Sequence, residues 1–190
     1  MTAVALSAPA ASAQVSVGIE NTRLVYGKYT YKDHYSAKLN VSVYSEKIQF
    51  QYLRGTLGYD TQVKNCHLGA EVFFGSSLNR FYYNAALNLS ADFLLFKRLL
   101  LEADVAPWYD SGYGYKTCYQ AMAGCRITDH IDVKVGYSTL PEYRMAEGRI
   151  RAGFDFHVSR LYVAPYVSIG PRAEDGGKNV RVVFGFGYQF

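Results

Sequence analysis

Asn179-Val180-Arg181-Val182-Val183-Phe184-Gly185-Phe186-Gly187-Tyr188-Gln189-Phe190 ends the sequence with a period of two. Successive Cβ atoms of an extended chain point to opposite sides, so Val180, Val182, Phe184, Phe186, Tyr188 and Phe190 share one face. Arg181, Val183, Gly185, Gly187 and Gln189 share the other. Ile150 to His157 and Ile131 to Tyr137 alternate in the same way. Working back from the C-terminus, the pattern predicts strands over 179–190, 161–170, 149–158, 131–139, 118–127, 99–109, 82–95, 66–75, 48–60, 35–44, 24–31 and 15–20. Twelve is an even count, which brings both ends to one side, as single-chain bacterial barrels require; ten is the alternative. The pattern is weakest at the first hairpin, around Asn21-Thr22, and in the strand over 48–60. There the alternation slips at Tyr52-Leu53, a slip that reads as a bulge.

The connections support an all-β, antiparallel up-and-down transmembrane barrel. Lys32-Asp33-His34, Phe96-Lys97-Arg98, Thr128-Asp129-His130 and Ser159-Arg160 are brief. Those from Asp110 to Thr117, Leu140 to Gly148 and Pro171 to Lys178 are longer. Short periplasmic turns and long outer loops are the asymmetry expected of such barrels. A faint repeat agrees: Lys32 to Lys38 matches Thr128 to Lys134, with Ser42 and Ser138 eight residues past each histidine. No run approaches the roughly 18 apolar residues of a membrane helix, and the mean hydropathy is -0.09. The 18 Tyr and 11 Phe suit strands and membrane boundaries alike. A net charge of +4, without any basic block, argues against a nucleic-acid partner.

Alternation is also found in soluble ligand-binding barrels, which turn the apolar face inward. The polar face here mixes charges with Gly69, Gly124, Gly136, Gly153, Gly185 and Gly187, as expected of a crowded lumen rather than a solvated exterior. The terminal segment, with Phe184, Phe186, Tyr188 and Phe190 at steps of two, resembles the closing strand of small Gram-negative outer-membrane β-barrel proteins. That resemblance implies an integral outer-membrane location. It also implies contact with membrane lipid, and a terminal aromatic signal read by the barrel-assembly machinery. Residues 1–13, ending in Ala11-Ser12-Ala13, resemble the back half of a signal peptide, which leaves 14–190 as the barrel.

Little in the sequence points to catalysis. No nucleophile elbow, HExxH, P-loop or EF-hand pattern occurs. His34, His67, His130 and His157 all fall near the periplasmic strand ends, the wrong place for a base acting on the outer leaflet. His130 and His157 should end neighbouring strands, but two imidazoles are too few for a closed metal site. Cys66, Cys118 and Cys125 read as unpaired thiols, since seven strand steps between the last two span about 23 Å. No cofactor or metal is expected. The outer loops hold Tyr109, Tyr113, Tyr115 and Tyr143, which belong to an aromatic girdle or serve as candidates for glycan or protein contact.

The charges assigned to the lumen are the informative set. They are Lys38, Arg54, Glu71, Asp92, Glu102, Asp104, Arg126, Asp132, Lys134, Arg149, Arg151, Asp155 and Arg181. Six acids and seven bases nearly cancel, which predicts mutual pairing in a packed or narrowly hydrated interior. Pairing in turn predicts register. Lys134 should stand opposite Asp155, Asp132 opposite His157, Gly136 opposite Gly153, Glu102 opposite Arg126, and Tyr166 opposite Gly185. Direct pairing of Asp132 with Asp155 would favour an open pore instead. The expected function is a structural barrel or a narrow, weakly selective pore. An outer-membrane lipid- or acyl-modifying enzyme and a soluble secreted ligand-binding barrel are the alternatives.

Overall fold

The computed structural model describes residues 13–20, 24–42, 52–78, 81–141, 148–171 and 179–190. They form twelve strands: β1 (Ala13–Glu20), β2 (Leu24–Tyr31), β3 (Tyr35–Ser42), β4 (Tyr52–Val63), β5 (Cys66–Ser77), β6 (Tyr83–Leu95), β7 (Leu99–Asp110), β8 (Gly114–Thr128), β9 (Ile131–Ser138), β10 (Arg149–Val158), β11 (Leu161–Ile169) and β12 (Val180–Gln189). Each strand pairs antiparallel with the next, and β1 closes on β12 through Ser16↔Gln189 to Ile19↔Phe186. Closure leaves no sheet edge. The count is twelve, not ten.

One end of the barrel is made of tight turns. Lys32 and Asp33 (φ 53° and 56°), and Phe96 and Lys97 (φ 50° and 59°), are consecutive left-handed residues. That backbone matches the twist of the flanking strands in a hairpin. Lys64 and Ser159 adopt the same conformation in the two-residue turns. The first hairpin at Asn21-Thr22, most of the connection from Leu140 to Gly148, and residues 172–178 lie outside the described residues. So do residues 48–51 of the strand expected over 48–60.

Burial follows the strand parity through the middle of the wall. Leu57 and Val182 point outward and are 64% and 78% exposed, whereas inward Asn40, Asn84 and Asp110 are at 0%. No outward position on any of the twelve strands is Asp, Glu, Lys, Arg or His; every charged strand residue points in. Outward aromatics gather toward the two ends, with Tyr31, Tyr35 and Tyr59 at the turn end and Tyr83, Tyr109, Tyr119 and Tyr137 at the loop end. Val, Leu and Ala fill much of the band between them.

Several local expectations need correction. The bulge expected at Tyr52-Leu53 is absent, and β3–β4 pairing is unbroken from Val41↔Leu53 to Tyr35↔Tyr59. Tyr52 is an aromatic residue turned inward, fully buried beside Leu24 and Tyr82, and this is what mimicked a slip. The irregularity lies instead between Arg126 and Thr128 of β8. The loop expected from Asp110 to Thr117 is a three-residue turn. Asp110 pairs with Gly114, and the Asp110 carboxylate accepts the Gly112 N–H at 2.8 Å.

The five expected register pairings do not occur. The β7–β8 hairpin is centred on Gly112 rather than Gly114, so Glu102 faces Met122 and not Arg126. Across β9–β10, Asp132 faces Asp155, Lys134 faces Gly153, and Gly136 faces Arg151. Tyr166 faces Val183 in place of Gly185, but on its other side it covers Gly153. A Cβ on Gly153 would lie 2.4 Å from the Tyr166 Cβ and 2.5 Å from the Pro165 carbonyl oxygen. One on Gly185 would meet nothing nearer than 3.5 Å. Urea titration should therefore show Gly153→Ala losing about 1–3 kcal/mol, with Gly185→Ala close to wild type.

Candidate functional site: the barrel lumen

The inward residues divide the lumen into a packed side and an open side. Toward the loop end, β2 and β4–β8 contribute Leu24, Tyr52, Phe73, Asn84, Trp108, Asp110 and Cys118, none more than 8% exposed. The Tyr52 hydroxyl donates to Asn84 Oδ1 at 2.7 Å, and the Asn84 amide donates to the Tyr82 hydroxyl at 3.0 Å. Tyr82 in turn donates to the Asp110 carboxylate at 2.6 Å. Phe73 and Trp108 meet edge to face at 4.6 Å beside this chain of bonds. Such a buried chain of bonds, backed by aromatic rings, resists rearrangement.

The charges lie around and below this plug. Glu20 accepts from Lys38 and Asn40, both at 3.0 Å, and stands 3.6 Å from Arg54. The Arg54 guanidinium also sits over the Phe73 ring at 5.1 Å. Lys134 bridges Glu102 and Asp155, the latter at 2.6 Å, and the Tyr162 hydroxyl donates to Asp155 at 3.2 Å. Arg126 grips Asp132 with two bonds, 3.0 and 3.3 Å. Asp104 accepts from Gln120 at 3.1 Å and Asn88 at 3.4 Å. Glu71 lies against the bare backbone of Gly58. Asp92 and Asp60 flank His67 at 3.7 and 4.0 Å. Arg149 donates to Asn179 at 3.2 Å and Arg151 to Gln120 at 3.4 Å, while Arg181 stands across from Ser168.

These contacts explain how Asp132 and Asp155 can share a register position. Lys134 reaches diagonally, two residues along the facing strand, to Asp155, while Arg126 takes Asp132 from the other side. Diagonal neighbours lie within reach of long side chains, so a like-charged pair at one level need not remain unscreened.

Placement also separates the signs, which one-dimensional counting could not show. The described inward charges on β4–β7 are Arg54 against Asp60, Glu71, Asp92, Glu102, Asp104 and Asp110. The rest of the wall carries Lys28, Lys38, Lys116, Arg126, Lys134, Arg149, Arg151 and Arg181 against Glu20, Asp132 and Asp155. Fixed charges so divided set up a field across the interior. Glu20, Lys28, Asp60, Asp110 and Lys116 were missed by the sequence reading, although continuing the same parity count along β1, β2, β4, β7 and β8 finds all five. A cavity of about 190 Å³ opens inside the barrel, lined by Glu102, Gln120, Lys134, Arg151, Asp155 and Tyr162 among others. A second, of about 240 Å³, opens at the turn end by His67, Asp92 and Arg126.

The histidines cluster at the turn end. His34 Nδ1 is 2.8 Å from the Asp60 carbonyl oxygen, and the His157 ring lies 5.0 Å from that of Tyr162. The His157 N–H donates to the His130 carbonyl at 2.9 Å, which makes those two strand ends neighbours. Cys66, Cys118 and Cys125 are free thiols. Outward Tyr109 and Tyr115 lie at the loop end, and Tyr113 in the turn between them; Tyr143 lies outside the described residues.

Fold and interior together define a closed, twelve-stranded antiparallel barrel with an apolar exterior and a charged lumen. No family model matches the chain, and no curated protein matches its sequence. Among solved structures it is similar to one described as "NanC porin structure in rhombohedral crystal form". The TM-score is 0.56 at 8% identity, over 94% of this chain and 99% of that one.

Proposed function

We propose that the chain is an integral outer-membrane barrel whose lumen is a narrow water path for small hydrophilic solutes, weakly selective between them. One observation carries this reading: charged strand residues all point inward, and the outward positions form an apolar belt between aromatic rings. Such a belt is stable against hydrocarbon and a liability in water. The plug supports a narrow path, the cavities along the charged wall support a hydrated one, and the fold is shared with a protein described as a porin. In planar bilayers the refolded protein should show small, discrete conductance steps. Tyr52→Ala combined with Tyr82→Ala should enlarge them severalfold by removing two plug rings. A folded, heat-modifiable barrel that gives no steps, with or without those changes, overturns the pore role.

The reading includes recognition of the C-terminal strand by the assembly machinery. Phe190 is two-thirds exposed; its N–H bonds the Val15 carbonyl at 2.8 Å, and its ring touches Tyr188. Removing so exposed a ring should leave the stability of refolded protein within about 0.5 kcal/mol of wild type. Phe190→Ala should nonetheless reduce the membrane yield in cells. Equal yields in a fractionation experiment would remove this part of the proposal.

A further inference from the structure

We propose that Arg151, Ser168 and Arg181, one row across β10, β11 and β12, form a binding site for the oxyanion of a small hydrophilic solute. The row is set by pairing: Arg151 faces Ser168, and Ser168 faces Arg181. All three point into the lumen, in its loop-end half and away from the packed plug. Strands stand about 4.8 Å apart, so the two arginine backbones are roughly 10 Å from each other. Two long guanidinium side chains can converge on one small anion across that span.

Among the described residues no carboxylate lies within ion-pair distance of Arg151 or Arg181. β11 cannot supply one, since its inward residues are Tyr162, Ala164, Tyr166 and Ser168. Ser168 is 1% exposed and its hydroxyl has no hydrogen-bond partner; Arg151 Nε is likewise buried without one. The contacts of Arg151 are a 3.4 Å bond to Gln120 and a position over the Tyr166 ring, 5.2 Å from its centre. A ring face attracts the guanidinium without neutralising it. Gly136, across from Arg151 on β9, adds no side chain to crowd the space. Arg151 opens to the cavity of about 190 Å³, whose two lining carboxylates, Glu102 and Asp155, are held by Lys134. Unused donors aligned by the sheet suit a carboxylate or phosphate oxygen. The nearest β7 carboxylates are already engaged, Glu102 by Lys134 and Asp104 by Gln120 and Asn88, and the excess of cations on this side of the wall favours an anion here.

The inference deepens the pore reading by naming a class of solute, but binding can be tested without conduction. The full chain, refolded in detergent, is titrated calorimetrically with sodium gluconate, glucose 6-phosphate and glucose. At least one of the two anions should bind and glucose should not; comparing the anions tells carboxylate from phosphate. Arg151→Gln with Arg181→Gln should weaken binding roughly tenfold or more, as expected when charge-assisted hydrogen bonds are removed. Arg151→Lys with Arg181→Lys keeps the charge but loses the fork, and should fall between. Heat-modifiable migration identifies folded variants, and the lysine pair serves if the glutamine pair does not fold. No binding of either anion, or equal binding by wild type and the folded variants, overturns the site. Parallel bilayer recordings keep the two proposals apart. Anion binding by a silent barrel would sustain the site and remove the pore, whereas conduction with unaltered binding in the variants would do the reverse.

Discussion

Leu57→Arg and Phe154→Arg should each destabilise the barrel in lipid vesicles by about 2–4 kcal/mol, the range for a cation placed near the bilayer midplane. Both side chains point outward, and both are about half exposed or more, so no packing clash contributes. Gly185→Arg is the control. It adds the same charge on the inward face, where the first atom would meet nothing nearer than 3.5 Å. Its cost should be well under that of the outward pair, because the new cation enters a polar interior. Urea titrations of the three variants refolded in vesicles give the ranking. A soluble barrel in water would tolerate arginine at both outward positions.

Lys134→Met should have the next largest effect. Lys134 is 19% exposed at the side chain and lies between Glu102 and Asp155, at 21% and 17%. Removing the cation leaves two partly buried carboxylates facing each other, and breaking a buried ion pair from one side costs about 3–5 kcal/mol. Some water reaches this cluster, so the lower end of that range is expected. Adding Glu102→Gln and Asp155→Asn to Lys134→Met should restore most of the loss, since the triple variant holds no unpaired charge. Equal stability of Lys134→Met and wild type would mean that the bridge contributes nothing.

The barrel was legible in the sequence because facing depends on a period of two, which is local. Asp155 and Phe154 take opposite faces whatever their neighbours do, and one count assigns a whole strand. Register is not local. It depends on which residue centres a turn, and Gly112 and Gly114 offer two centres within three positions. The intervening Asp110 cap, a side chain bonding back to the Gly112 N–H, selects the first. Electrostatic reasoning then misled, because it assumed that charges must pair straight across. The Lys134 stem is long enough to satisfy Asp155 diagonally, which releases the register from that constraint.

The plug was hidden for a different reason. Tyr52, Phe73 and Trp108 have the composition of an outer girdle but turn inward, and only the closed sheet reveals that Phe73 meets Trp108 while Tyr52 packs on Leu24 and Tyr82. Separation of charge between β4–β7 and the remaining wall was hidden as well, because it follows from the order of strands around a closed ring. Parity assigns the thirteen charges to one face one at a time; their grouping needed the third dimension.

The account rests on the exterior facing hydrocarbon and the interior facing protein and water. Fluorescence quenching by nitroxide-labelled lipid tests this most directly. Trp108, the single native tryptophan, is inward and 3% exposed. In vesicles its emission should be nearly indifferent to nitroxides on the acyl chains. Leu57→Trp, made together with Trp108→Phe, should emit at shorter wavelength than a water-exposed tryptophan and be strongly quenched by a nitroxide near the middle of the bilayer. Quenching of Trp108 with none at position 57, or protein that stays folded in aqueous buffer without lipid or detergent and is quenched at neither position, would contradict it.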